Sequence, residues 1–185
     1  MISAGRRNTG YVDTKGDCYV LGDGRWNKFR TGTDNITTPL KLLEKVTFIT
    51  SGEHEMLFVT ESGALYYSGW RDTSSFGQGE GSHGPQVIME YGVEKAMIHF
   101  GDIAILGEDG AAYVFGINTG GAIGTATTTS VKIIDSGVAD VAAGYNFSAY
   151  VMKDGSLKII GDNSVGQHGN GNTNGVSGFT TVKIS

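Results

Sequence analysis

Cysteine and proline are nearly missing from this sequence, with one cysteine (Cys18) and two prolines in 185 residues. A lone cysteine closes no intrachain disulfide, which excludes a stapled secreted miniprotein. No apolar run approaches the roughly 18 residues that a membrane-spanning helix needs. The start, Met1-Ile2-Ser3-Ala4-Gly5-Arg6-Arg7, has no apolar core of the kind a secretory signal carries. A cytoplasmic or virion-associated chain is therefore expected. Charged residues are also scarce, at 18 %, and the net charge is −5. An acidic balance argues against general nucleic-acid binding. What is abundant is glycine: 30 of 185 residues, against an ordinary share of roughly 7 %.

The glycines are periodic. Gly16, Gly63, Gly110 and Gly155 each follow a polar residue in a hairpin signal, spaced 47, 47 and 45 residues apart. Six residues after each stands a second glycine: Gly22, Gly69, Gly116 and Gly161. A third precedes each turn: Gly5, Gly52, Gly101 and Gly144, at offsets of 11, 11, 9 and 11. On this alignment the third unit has lost two residues. The columns between the glycines are mostly apolar, as in Tyr11, Phe58, Ile105 and Tyr150, or Val12, Val59, Leu106 and Val151. Consecutive apolar columns around an x-Gly turn read as hairpins of strands covered on both faces. Further strands are expected near Pro39–Leu43, Pro85–Met89, Val131–Ile134 and Val182–Ile184, and at Val46–Ser51 and Val138–Ala143. Repeats of this period that must cover both faces of a small sheet stack as the blades of a β-propeller. The expected fold is all-β: one repeat domain, 1–185, with four blades of four antiparallel strands at about 1–48, 49–96, 97–140 and 141–185.

The fourth unit reads Ala143-Gly144-Tyr145-Asn146-Phe147-Ser148, then Lys153-Asp154-Gly155, then Gly161-Asp162-Asn163-Ser164-Val165-Gly166-Gln167-His168-Gly169-Asn170-Gly171. This resembles the repeat of the regulator of chromosome condensation family, roughly A-G-x-x-H-S, x-D-G and W-G-x-N-x-x-G-Q-L-G-x-G. Ile160 stands for the tryptophan, Phe147 for the histidine and His168 for the leucine. The third unit keeps Gly116, Asn118, Gly121 and Gly124; the second keeps Gly69, Gly77, Gln78 and Gly79; the first keeps Gly22 and Gly32. The resemblance implies protein–protein recognition. A nucleotide-exchange-factor-like regulator and an enzyme inhibitor on the same blades are the alternatives. The family's usual propeller has seven blades, and this chain has four units. A closed monomeric ring, or docking onto other subunits, is expected ahead of an eight-bladed dimer.

No motif reads as catalytic. The loops Gly77-Gln78-Gly79-Glu80-Gly81 and Gly169-Asn170-Gly171-Asn172 hold no lysine, and no helix follows them, so they are turns rather than phosphate cradles. His54, His83, His99 and His168 show no metal-ligand spacing. A strand through Glu53-His54-Glu55 would set the histidine opposite both glutamates. Cys18 shares a column with Leu65, Ala112 and Leu157 and reads as a small core residue. No enzyme, cofactor, metal or small-molecule ligand is expected. Cut at 48, 96 and 140, the units carry net charges of +3, −5, −4 and +1. In a closed ring the basic first and fourth units would adjoin as a docking patch. The candidate contact residues are Arg25, Trp26, Lys28 and Arg30 after the first hairpin, Trp70 and Arg71 after the second, and Tyr145, because Trp, Tyr and Arg dominate binding hot spots. Phe29, in an otherwise apolar column, is assigned to packing. The expected partner is a protein or a second copy, in a scaffold that would suit a viral structural or receptor-binding part.

Overall fold

Every strand pairs with its neighbour in sequence, so each repeat closes a meander before the next begins. The computed structural model describes residues 1–24, 29, 35–71, 81–116, 118, 121–124 and 127–183; at 70, 71, 81–83, 127, 128, 176 and 177 it describes the backbone alone. Blade 1 holds β1 (Ile2–Ala4), β2 (Asn8–Val12), β3 (Cys18–Asp23) and β4 (Asn35–Leu43). Blade 2 holds β5 (Val46–Ser51), β6 (Glu55–Thr60), β7 (Leu65–Arg71) and β8 (Gly81–Met89). Blade 3 holds β9 (Val93–His99), β10 (Asp102–Gly107), β11 (Ala112–Gly116) and β12 (Thr127–Ile134). Blade 4 holds β13 (Val138–Gly144), β14 (Phe147–Met152), β15 (Ser156–Gly161) and β16 (Val176–Lys183). All four sheets are antiparallel meanders of four strands. The cuts at 48, 96 and 140 fall inside β5, β9 and β13, because the repeat period carries no strand boundary of its own. The outermost strands also begin earlier than their apolar stretches suggest, since polar residues there continue the ladder with the third strand.

Blades stack face to face. The leading face of a blade looks toward the preceding blade, and its trailing face toward the next. At the first joint Cys18, Val20 and Phe29 of blade 1 pack on Ile49, Met56 and Phe58 of blade 2. At the second, Leu57, Val59, Leu65 and Tyr67 meet Ala96, Ile98, Ile103 and Ile105. At the third, Ala104, Leu106 and Ala112 meet Val141, Tyr150 and Ile160. The same repeat columns meet each time. A backbone bond marks each joint as well. Val46 N–H donates to the Gly16 carbonyl at 2.9 Å, Val93 to Gly63 at 3.0 Å, and Val138 to Gly110 at 2.9 Å. Thus the turn glycine of one blade anchors the first strand of the next. The turn glycines have φ of 83, 74, 72 and 82°, a left-handed backbone natural to a residue without Cβ.

The stack does not close. Among the described residues, each blade packs on the next, but no strand of blade 1 packs on blade 4 in that way. Burial shows the same. In the middle blades β6 and β10 are buried on both faces apart from the end residue Thr60. In the outer blades β2 and β14 are covered on one face only. The expectation of two covered faces therefore holds for the inner blades and fails for the outward faces of the end blades. A closed ring of four is replaced by an open arc, and the basic first and fourth units are not neighbours.

Phe29 is buried in the first joint and Ile123 beside the third. His168, in the same column, is fully buried. Its Nδ1 lies 2.8 Å from Thr180 Oγ1, and its backbone N–H donates to Asn163 Oδ1 at 2.9 Å. It is a packed histidine.

One column gives a clean test of the stacking. Val59 is 1 % exposed and Val151 43 %, with the same side chain at the same repeat position. Truncating a covered valine removes two methyl groups and leaves a cavity, at a cost of about 2 kcal/mol. Val59→Ala is expected to lose about that much in urea denaturation, and Val151→Ala less than about 1 kcal/mol.

Candidate functional site

The turns between the first and second strand of each blade gather at one end of the arc. They are two-residue turns throughout: Arg6-Arg7, Glu53-His54, Phe100-Gly101 and Tyr145-Asn146. Gly5 N–H donates to Asn8 O and Gly52 N–H to Glu55 O, both at 2.9 Å. His99 pairs with Asp102, and Gly144 with Phe147. The third unit has therefore lost no residue here. His99 occupies the position of Gly5, Gly52 and Gly144, and Gly101 sits inside the turn. Aligning glycine to glycine displaced the register by two. The next glycine column confirms the correspondence. Gly22, Gly69, Gly116 and Gly161 lie so close to the carbonyls of Arg7, His54, Gly101 and Asn146 that a Cβ would collide with each.

Beneath these turns lies an open cavity of about 500 Å³ to which all four blades contribute. Blade 1 supplies Ala4, Gly5 and Arg6; blade 2 Thr50, Ser51, Gly52 and Glu53; blade 3 Met97, Ile98 and His99; blade 4 Ala143. The rim is mixed in charge. Arg6 forms an ion pair with Glu53, and His54 Nε2 stands 3.6 Å from the same carboxylate. Glu53 and His54 sit in a turn rather than a strand, so the expected separation of His54 from both glutamates does not hold.

On the blade 3 and blade 4 side the rim is aromatic. Tyr145 is 62 % exposed and Phe100 39 %. Their rings meet edge-on at 5.5 Å, and each meets the His99 imidazole, at 5.4 and 4.6 Å. Phe100 holds φ of 45°, a left-handed conformation that is costly for a bulky residue. A two-residue turn with both φ positive matches strand twist best, and here it sets an aromatic ring outward. Burial holds the His99 pKa below its ordinary value, with Glu53 opposing.

Of the sequence candidates, Tyr145 belongs to this rim. Arg25, Trp26, Lys28 and Arg30 lie outside the described residues. Trp70 and Arg71 end β7, pairing with Ser82 and Gly81, and their side chains are outside the description. Arg6, Glu53, His99 and Phe100 were not singled out as contact residues. The signal for Arg6, Glu53 and Phe100 was positional, since each opens a two-residue turn whose residues change from repeat to repeat, and His99 stands where the other repeats have glycine. Cys18 is fully buried and burial pushes its thiol up to about 12, which leaves it protonated. Among the described residues no group of three His, Cys, Asp or Glu side chains could hold a metal.

The depressed His99 pKa has a definite sign. Below the unfolded value of 6.5 the unfolded chain takes up a proton that the folded chain refuses, so stability falls as pH drops through that window. Urea midpoints measured from about pH 7.5 to about pH 5.5 are expected to decline in the wild type and to decline less in His99→Gln.

Residues 138–167 match the regulator of chromosome condensation (RCC1) repeat. The chain is 25 % identical over 189 residues to the ultraviolet-B receptor UVR8 of Arabidopsis thaliana, which spans 92 % of this chain and 43 % of the receptor. It is 25 % identical over 143 residues to the X-linked retinitis pigmentosa GTPase regulator of the dog, Canis lupus familiaris, spanning 71 % of this chain and 14 % of that protein. In fold it is similar to human WBSCR16, with a TM-score of 0.83 at 18 % identity over all of this chain and 52 % of that one. It is also similar to Prp20p of Saccharomyces cerevisiae, at 0.78 and 18 % over all of this chain and 50 % of that one. The chain spans about half the length of these structures and less than half of those relatives. With the repeat matched in the fourth blade and four blades of one pattern, the chain is similar to proteins built from the regulator of chromosome condensation repeat.

Proposed function

We propose that this chain is a non-catalytic protein-recognition arc, and that it holds a partner segment at the four-turn rim. The observation that carries this reading is the exposed cluster of His99, Phe100 and Tyr145. A strained backbone at Phe100 persists because the surrounding turn enforces it, and strain of this kind collects at functional sites. Rigid aromatic rings packed on His99, which lines the cavity, offer contact area at little entropic cost. The Arg6–Glu53 pair and His54 border the cluster with polar groups, so the rim has an apolar centre and a polar edge, as protein interfaces do. The chemistry that fits is an extended peptide presenting an aromatic or aliphatic side chain. The virion setting suggested by the sequence gains nothing from the fold or the relatives. An inhibitor on the same blades would need an exposed aromatic patch such as Trp26 with Trp70, whose side chains lie outside the described residues.

A displayed library of random peptides, selected on the immobilised chain, tests this reading. Aromatic or aliphatic peptides are expected to be enriched, and Tyr145→Ala and Phe100→Asn to weaken them at least about tenfold. Phe100→Asn should fold as stably as the wild type, because asparagine tolerates the left-handed backbone. No enrichment, or equal binding by both variants, refutes the rim as the contact surface.

A second reading, regulation of a GTPase, is favoured by the name of the dog relative and by Prp20p, described with its binding to Gsp1p and histones. It is tested by nucleotide release from a panel of small GTPases, and no acceleration counts against it.

A further inference from the structure

The two uncovered sheet faces are the two halves of a joint that the chain already makes three times. On the trailing side, the columns Leu57–Ala104, Val59–Leu106 and Leu65–Ala112 are fully covered by the next blade. Their fourth members are Ala149, Val151 and Leu157, which are partly or largely exposed. On the leading side, Ile49, Ala96 and Val141 are buried, as are Phe58, Ile105 and Tyr150. Their counterparts in blade 1 are Ile2, 74 % exposed, and Tyr11, half-buried against Tyr19 in a stack of 5.1 Å. Uncovered apolar sheet faces with the columns of an internal joint are interaction surfaces.

We infer that the trailing face of blade 4 receives the leading face of blade 1 from a second copy of this chain, so that two arcs close one ring of eight blades. Three observations select a second copy as the occupant. First, both halves of the missing joint are on one chain, and a twofold axis forms both joints in a single closed assembly. Second, the chain spans 52 and 50 % of the two structures it resembles, so two arcs hold about as many residues as one of those chains. Third, the polar link fits. At the third joint the Ser148 hydroxyl donates to the Ala122 carbonyl at 2.5 Å. The matching positions across the proposed joint are the Thr9 hydroxyl and the Gln167 carbonyl. The other leading faces carry Met56 and Ile103 in that column, neither of which could donate. Closure also answers the exposure of β2 and β14 together, leaving no sheet face open.

The mass of the purified chain in solution, by light scattering at roughly 50 µM, tests this. A mass of twice the 19.5 kDa chain is expected. Val151→Glu and Tyr11→Glu, each placing a charge on one open face, should each raise the dissociation constant at least about tenfold. Both should keep the β circular dichroism of the wild type, because neither side chain is fully buried. Tyr91→Glu, at the exposed connection between blades 2 and 3, should leave the dimer intact. A monomeric wild type overturns the proposal. A larger open polymer overturns the twofold closure. Dissociation by Val151→Glu but not by Tyr11→Glu shows blade 4 packing on blade 4, and overturns the joint described here.

Discussion

A small β-sheet that is apolar on both faces cannot stand alone in water, and that single constraint organises this molecule. Each inner blade buries one face against the blade before it and the other against the blade after, and each end blade buries one face. The joint is a repeated object: columns from the second and third strands of one blade, columns from the first and second strands of the next, and one backbone bond from a valine to a turn glycine. Hydrophobic burial supplies the free energy, and the backbone bond sets the angle at which it is collected. Surface ion pairs add little by comparison. Lys41 with Asp17 and Glu44, and Lys132 with Asp109, all lie on exposed edges.

Much of this was legible in the residues. Apolar columns such as Phe58, Ile105 and Tyr150 defined the hairpins, and the glycine columns located their ends. Four blades followed from period and length. Closure was not legible, because a column records residue type and not whether another sheet covers it. Val59 and Val151 are identical in sequence and opposite in burial. The register of the third turn was also hidden. His99 replaces a glycine, and Gly101 two residues later attracted the alignment. Only the pairing of His99 with Asp102 exposes the substitution.

The same slip explains why the rim escaped notice. Function in repeat proteins sits where repeats differ, whereas a repeat is recognised by where its copies agree. Arg6, Glu53, Phe100 and Tyr145 share one structural position and no chemical character. Tyr145 stood out as an exposed aromatic beside a glycine. His99 and Phe100 required three dimensions, since their partner Tyr145 belongs to another blade. The resulting surface is a composite, with each blade contributing one turn to a rim that no blade contains.

The valine-to-glycine bond at every joint links only adjacent blades. Energetically the stack is then close to a one-dimensional lattice, in which each unit senses its immediate neighbours and nothing further. Blades 2 and 3 are held from both sides, and blades 1 and 4 from one. A turn at the rim can be rewritten without disturbing the register of the blade two places away. Such a lattice separates change in its turn residues from the maintenance of its frame.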